Sequence, residues 1–519
     1  MPTTLMTPGV YIEEKNAFPG SAVAVETAVP VFIGYTETAI RNGKSLVGIP
    51  TPISSFAEYS ESFGGPFHPK FIVSMAADNA TPPSSPPSPT PGAPSSADTV
   101  TLHGKPTTVK LKDNNTAYFY NCIRLFYANG GGNCYIYSVD TYGDKPDGFE
   151  IKASDFIGSP DHPSSVFDTL EKEYEPTLIV MPDIIALGRD AYTDVYTQVL
   201  NHCSKMQSRM GIFDLRKQDP TEKTDDVVGE FRDNIGTNFL NYGAAYYPWL
   251  KTGIVQPGEV DFQNIDPSVD LSTLLPDNEG PAKDIISRFN ANDKKTDPSV
   301  KTNYHQSLKA ASPTYVTILD VLRARINELP PSAAMAGIYT LVDNSRGVWK
   351  APANVSLSMV HAPSINVSSD AQQKLNVDVM AGRSINVIRP FPGVGTLVWG
   401  ARTLDGNSQD WRYINVRRTL IMIEQSLKLA TRAYVFEPND ASTWITVKSM
   451  FTNFLINLWK QGALAGAVPE QAFDVQIGLG ATMTPTDILD GIMRITVKVA
   501  VVRPAEFIVI TFQQQQQLS

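Results

Sequence analysis

Residues 177–182, TLIVMP, and 211–215, GIFDL, are two short apolar runs rich in β-branched side chains, and what lies between them decides the fold class. Val195, Val199, Cys203 and Met206 recur at spacings of 4, 4 and 3, the signature of one buried face of a helix. Asp190 stands where such a helix would be capped. Strand, helix and strand in this order form a β-α-β unit. Its strands run parallel, so the sheet must be covered on at least one face.

Working outward toward the N-terminus, residues 29–35 of AVAVETAVPVFIGY (22–35) read as a buried strand, residues 116–129 as a helix ended by Asn129 and three glycines, and CYIYSV (134–139) as a strand. PGVYI (8–12) is a short strand signal behind a Pro-Gly break. The stretch 78–99 is dense in Pro and Ser, cannot build a core, and reads as a semi-rigid surface loop.

Toward the C-terminus, residues 251–303 are polar and rich in Asp, Pro and Asn, which predicts mostly loop with one short helix near 282–290. A helix opens at Ser312 with Pro313 in its first turn, buries Leu319, Leu322, Ile326 and Leu329, and stops at Pro330-Pro331. Val416, Leu420, Ile423, Leu427 and Ala430 recur at 4, 3, 4 and 3 and predict a long helix over about 410–432. A second helix runs from a Ser442/Thr443 cap to about Gly462. It buries Trp444, Val447, Phe451, Phe454 and Leu458, and carries the polar stripe Thr446, Ser449, Asn453, Asn457 and Lys460. ITVKVAVV (495–502) and EFIVITF (506–512) read as strands separated by Arg503-Pro504, with a glutamine tail after them.

The 519 residues carry 43 Lys/Arg against 53 Asp/Glu, a net charge of −10 that argues against a nucleic-acid-coating protein. From residue 340 onward there are 16 basic and 13 acidic side chains, so the preceding part holds 27 against 40. No apolar run approaches the roughly 18–20 residues that span a bilayer, and the first twenty residues lack the basic and apolar regions of a secretory leader. Cys122, Cys134 and Cys203 form no CxxC pair and no disulfide framework. A soluble product of a reducing cytosol is expected.

Catalytic motifs fail on spacing. Gly43-Lys44-Ser45 resembles the end of a phosphate-binding loop, but position 38 is Thr where that loop needs Gly. GVGTLVWG (393–400) lacks the third glycine of a dinucleotide fingerprint, so a tight turn before a buried strand is expected. The six histidines, His68, His103, His162, His202, His305 and His361, show no metal-ligand spacing, and there is no GxSxG elbow. His202 and Cys203 read as packed core residues. Asp183 and Asp214 fall near strand ends, where a doubly wound hydrolase would place ligands; capping of a loop or helix is the favoured role.

From about residue 330 to the end the chain resembles the tail sheath proteins of contractile bacteriophages and of phage-tail-like contractile injection systems. The matching segments are PPSAAMAGIYTLVDNSRGVWKAPAN (330–354), SINVIRPFPGVGTLVWGARTL (384–404), WRYINVRRTLIMIEQSL (411–427), FEPND (436–440), WKQGALAG (459–466) and RPAEFIVI (503–510). PGVYIEE (8–14), VPVFIGYTE (29–37) and the 177–216 region are similar too, whereas the Pro/Ser loop is peculiar to this chain. A single long chain looks more like the phage and extracellular-injection type than like a two-subunit secretion sheath.

The resemblance implies an α/β (mixed α+β), multi-domain sheath fold with nested insertions and extended terminal strand arms. Expected divisions are an N-terminal arm (1–22), an outer, loop-rich α/β region (23–344), an inner sheath domain (345–502) and a C-terminal strand arm (503–519). It implies a structural subunit with no enzyme activity and no cofactor or metal. Its partners would be copies of itself in stacked hexameric rings, an inner tube protein, baseplate and terminal cap proteins, and sibling sheath proteins, with neither nucleic acid nor membrane insertion. Assembly would take place in the bacterial cytoplasm, as part of a phage tail or tail-like particle that is then released or membrane-anchored. Val10, Tyr11, Ile12, Phe507, Ile508, Val509, Ile510 and Phe512 are expected to exchange strands between subunits, and Lys448, Asn453, Asn457 and Lys460 to face the tube. A surface-binding module and a doubly wound hydrolase are the alternatives.

Overall fold

The computed structural model describes residues 22–75, 99–102, 105–158, 165–188, 191–218, 226–378 and 382–509. The chain divides into a larger unit, Glu26–Arg418, and a smaller one, Met1–Val25 with Thr419–Ser519.

The larger unit is organised by a nine-stranded sheet. Its strands are β1 (Pro30–Thr36), β2 (Thr51–Ile53), β3 (Cys134–Thr141), β4 (Leu178–Val180), β5 (Met210–Asp214), β6 (Gly243–Tyr247), β7 (Val355–Ser356), β8 (Ile385–Phe391) and β9 (Gly395–Val398), in the spatial order β7-β9-β8-β6-β5-β4-β1-β3-β2. The six central strands from β8 to β3 are parallel, and antiparallel strands close each margin. Every residue of β1, β5 and β6 is buried, as a parallel sheet covered on both faces requires.

Side chains alternate across that sheet. Phe32, Leu178, Val180, Met210, Ile212, Ala244 and Tyr246 share one hydrophobic core with Phe119, Cys122, Ile123 and Phe126 of α1 (Phe119–Ala128). Helix α2 (Ala191–Met206) is the predicted crossover between β4 and β5, and it covers the opposite face. A Cβ on Gly211 would lie 3.0 Å from Val199, one on Gly243 would lie 3.0 Å from Leu200, and Tyr196 stacks on Phe213. Its proposed cap, Asp190, lies outside the described residues.

A second core joins the small antiparallel sheet of Phe71–Met75, Thr99–Leu102 and Lys105–Leu111 to three helices, α3 (Gly280–Asn290), α4 (Pro298–Ala311) and α5 (Pro313–Ile326). Helix α5 starts as predicted, with the Ser312 hydroxyl accepting the Tyr315 N–H at 2.9 Å. Helix α4 departs from the loop expected over 251–303. Asp297 caps it and Pro298 opens it, but Tyr304, His305 and Leu308 are its only buried side chains, too sparse to show as a period. Beyond α5, α6 (Ser332–Arg346) adds Ala333, Met335, Ile338, Tyr339 and Val342 to the first core.

The compact units part at 418, whereas the sequence suggested a division at 345. Strands β7, β8 and β9 lie after residue 345, yet Ile385, Asn386 and Val387 of β8 pair with Ala245, Tyr246 and Tyr247 of β6. A boundary read from composition cannot see hydrogen bonds made across 140 residues of chain. The Pro/Ser stretch falls within 76–98, outside the described residues apart from Thr99, which opens a strand.

Candidate assembly surface

The smaller unit holds most of α7 (Ile414–Thr431), together with α8 (Ala441–Lys460) and a two-stranded sheet of β10 (Phe473–Ile477) and β11 (Ile495–Val499). Helix α8 begins two to three residues earlier than predicted. Asp440, not Ser442 or Thr443, is its cap, with a carboxylate oxygen accepting the Thr443 N–H at 2.9 Å. The anion sits at the positive end of the helix dipole, which adds electrostatic attraction to the capping hydrogen bond. Asn439 orients the approach: it accepts from the Trp444 indole N–H at 2.7 Å and donates to the Ile492 carbonyl at 3.1 Å.

Val447, Met450, Phe451, Phe454, Leu455 and Leu458 of α8 are buried, while Thr446, Ser449, Asn453, Asn457 and Lys460 are all exposed. The spacing separates the two faces as expected, except that Trp444, expected in the buried set, is only half-buried. Lys448 is exposed but does not share the stripe. At about 100° per residue it stands about 120° around the axis from Lys460, so the two lysines cannot meet one flat surface together.

β10 and β11 pair antiparallel from Phe473↔Val499 to Ile477↔Ile495, leaving one edge of each strand with no strand partner among the described residues. Their connection is stiffened where the Asp487 carboxylate accepts the Thr484 N–H and hydroxyl, each at 2.8 Å, and the Arg494 guanidinium at 3.0 Å. These donors hold its pKa down at about 2. After Val501 the described chain makes no further strand. Phe507, Ile508 and Val509 are 71%, 78% and 88% exposed. Val10, Tyr11, Ile12, Ile510 and Phe512 lie outside the described residues.

Exposed apolar side chains concentrate in this unit. It has about a quarter of the chain but, among the described residues, more than half of the exposed large apolar side chains, including Val435, Ile445, Leu479 and Leu489. Phe436 is fully exposed on a backbone φ of +74°, a conformation costing a bulky residue roughly 1–2 kcal/mol. Sequence reading missed this residue: FEPND carried resemblance, but nothing in its composition reported strain or exposure.

The charge contrast changes meaning in three dimensions. Residues 419–519 contain seven Lys/Arg against eight Asp/Glu, so the basic excess after residue 340 belongs to 340–418 in the larger unit. There Arg383, Arg402, Arg417 and Arg418 are buried and shape the interior instead of a basic surface.

The enzyme-like features resolve into architecture. Asp183, fully buried, accepts the N–H groups of Tyr35, Tyr118 and Phe119 at 2.9–3.0 Å, two of them at the start of α1. Asp214 at the end of β5 does the same for α6. Burial pushes these carboxyls up to about 6 and about 7 against the donors that oppose it. The imidazole of His202 is pushed down to about 4 by burial and by Arg209, 2.9 Å away, and burial raises the Cys203 thiol to about 12. Asn42-Gly43 forms a two-residue turn with positive φ at both positions, joining the hairpin strands Ile40–Arg41 and Lys44–Ser45. Residues 391–395 turn between β8 and β9. Among the described residues no cluster of three His, Cys, Asp or Glu side chains could hold a metal, and no helix is long and apolar enough to cross a membrane.

Comparison with known proteins agrees with this arrangement. Residues 407–515 match the phage tail sheath C-terminal domain. The tail sheath protein of Vibrio phage KVP40 is 23% identical over 162 residues, which is 31% of this chain and 23% of that protein. The chain thus matches less than a quarter of that relative's length. Among solved structures, the sheath complex of the extracellular contractile injection system PVC, in its contracted state, superposes with a TM-score of 0.60 at 28% identity over 99% of both chains. The contracted helical sheath of the anti-feeding prophage gives 0.58 at 29%, over 99% of this chain and all of that one. This chain therefore carries the phage tail sheath C-terminal domain and, over nearly its whole length, the fold of the sheath proteins of phage-tail-like contractile injection systems.

Proposed function

We propose that the chain is a structural subunit that polymerises around an inner tube as stacked hexameric rings, assembles in an extended metastable state, and contracts once to drive the tube through a target envelope. The observation that carries this reading is the smaller unit's unfinished surface. A two-stranded sheet whose outer edges have no strand partner among the described residues is marginal alone, and an exposed apolar segment such as 507–509 is what a monomer normally avoids. Both are resolved if residues 506–512 and the strand-like residues 10–12 pair with sheets of neighbouring subunits. Burial is worth roughly 1.5–3 kcal/mol per large apolar side chain, while ordering the backbone costs about 1–2 kcal/mol per residue. One arm gains little, and a lattice of arms stays connected while subunits turn.

In this reading the polar stripe of α8 rests on the tube, with Asn453, Asn457 and Lys460 in contact and Lys448 to one side. Exposed ion pairs give only about 0–1 kcal/mol each, firm when summed over many subunits and still releasable. The remaining partners are baseplate and cap proteins and sibling sheath chains, in a particle assembled in the bacterial cytoplasm. Conformational free energy stored at assembly supplies the work, with no cofactor and no catalysed reaction. Electron microscopy of the expressed chain tests this, together with deletion of residues 1–14 or of everything after Pro504. Striated cylinders are expected from the full chain and folded, non-polymerising monomers from either deletion. Normal-length sheaths from a deleted chain would overturn the strand exchange.

A further inference from the structure

The backbone passes between the two units at only two places, Val25/Glu26 and Arg418/Thr419. Both are fastened to one carboxylate. Asp343 of α6 takes Arg418 in a two-pronged ion pair, with Nη1 to Oδ1 at 2.9 Å and Nη2 to Oδ2 at 2.5 Å. Its Oδ2 also accepts the Thr27 hydroxyl at 2.5 Å. Arg418 closes the ring by donating from Nη2 to the Thr27 carbonyl at 2.9 Å, joining residues 391 apart in sequence. Both charged side chains are 3% exposed. The guanidinium lies 4.6 Å from the Tyr339 ring, and the Tyr339 hydroxyl bonds that of Tyr246 at 2.8 Å, in the middle of the main sheet.

The neighbouring contacts stiffen the same point. Arg417 lies between the rings of Tyr242 and Trp411, at 4.2 and 4.7 Å, and donates to the Tyr242 hydroxyl. Asn415 donates to the Trp349 carbonyl at 2.9 Å. Helix α7 then continues unbroken through the crossing to Thr431, so residues 419–431 extend it by about 20 Å at 1.5 Å per residue. Within the smaller unit the Val25 N–H donates to the Ser426 hydroxyl at 3.0 Å, so the N-terminal crossing follows the same helix.

We infer that Asp343, Arg418 and Thr27 form a clamp that roots both crossings in the larger unit and holds residues 27 and 418 in one register there, a register that the proposed contraction needs to keep. A buried ion pair is a poor way to gain stability alone, because desolvation offsets its attraction. It is a good way to hold two chain segments in one register, since breaking it strands a charge in the interior. This inference rests on the contractile reading above for its purpose, but the clamp itself can be measured without a sheath.

The test uses the full chain with the double substitution Asp343→Leu and Arg418→Met, which removes both charges together and strands neither. Hydrogen exchange of the free chain should become about tenfold faster or more across residues 22–27 and 419–426, with the rest of the larger unit unchanged. Sheaths of this variant should form and contract incompletely. Unchanged exchange at both crossings overturns the clamp, and faster exchange with normal contraction overturns its role in contraction. Thr27→Val covers failure of the double variant to fold. It removes one donor and leaves the ion pair, so exchange should rise over 22–27 alone, and no rise overturns the clamp. Glu230→Gln, at the separate Arg216 ion pair, should leave both crossings unchanged; a similar rise there overturns the assignment. If the natural chain forms no sheaths, the contractile reading falls while the exchange measurements still decide the clamp.

Discussion

The carboxylate of Asp214 accepts both the backbone N–H of Ser332, at 2.7 Å, and its hydroxyl, at 2.5 Å. The last residue of a central strand thus caps a helix that begins 118 residues later. Replacing Asp214 with Ala would leave two buried donors unpaired at the start of α6, costing about 1–3 kcal/mol for each group. Chemical denaturation of the free chain should show this as a lower midpoint at unchanged slope.

The same carboxyl makes stability depend on pH. Its pKa is about 7 in the folded chain and near 3.8 when exposed, so between these values the folded state binds the extra proton. Stability from this site is therefore fully present below about pH 4 and declines as pH rises toward 7. Asp214→Asn, neutral throughout, should lose less relative to the natural chain at pH 8 than at pH 5. Thermal unfolding at the two pH values checks this, and an equal loss at both would contradict it.

Asp183 leaves even less freedom, because the sheet approaches it closely. A Cβ on Gly34 would lie 2.3 Å from Phe119 and 2.8 Å from the Asp183 carboxylate. Gly34→Ala should therefore displace α1 from the sheet and cost roughly 1–3 kcal/mol. Exchange protection of residues 119–126 should fall with it.

On the tube, charge reversal at two lysines should have unequal effects. Lys460→Glu places a negative charge on the stripe and should reduce tube decoration at moderate salt. Lys448→Glu, about 120° away around the helix, should leave decoration near normal. Co-sedimentation with tube checks both, and equal losses would place the contact on a different face.

Phe436 pays for its position in backbone strain. Phe436→Gly should raise the stability of the free chain by about 1 kcal/mol, since the fully exposed ring holds little within its own subunit. If the ring contacts a neighbouring subunit, the same substitution should shorten or abolish sheaths. A variant that is stabilised and polymerises normally would remove Phe436 from the interface.

Much of the frame was legible before the structure. The apolar runs at 29–35, 134–139, 177–182 and 211–215 become β1, β3, β4 and β5, because a strand buried on both faces has no choice of composition. Helices α2, α7 and α8 follow their 3- and 4-residue spacings for the equally local reason that one face must be apolar, whereas α5 ends at Ile326, and Leu329, expected on its buried face, lies in a short strand. The tight turn expected before a buried strand at 393–400 is the turn of residues 391–395 into β9, and Gly43 lies in a hairpin turn. The similar segments from residue 330 onward pointed to the sheath fold.

What only the tertiary structure decided depends on residues distant in sequence. The division at 418 follows from β8 joining β6 across the chain. Buried arginines turn an apparent basic surface into interior bonds, because a charge count carries no burial. The clamp at Asp343 needs Thr27 and Arg418 to meet from opposite ends of the larger unit's sequence. Periodicity reports the face a residue turns to its own element. Which charges lose water, and which segments then share a partner, is settled only when distant elements pack and the interior makes an unpaired charge too costly to keep.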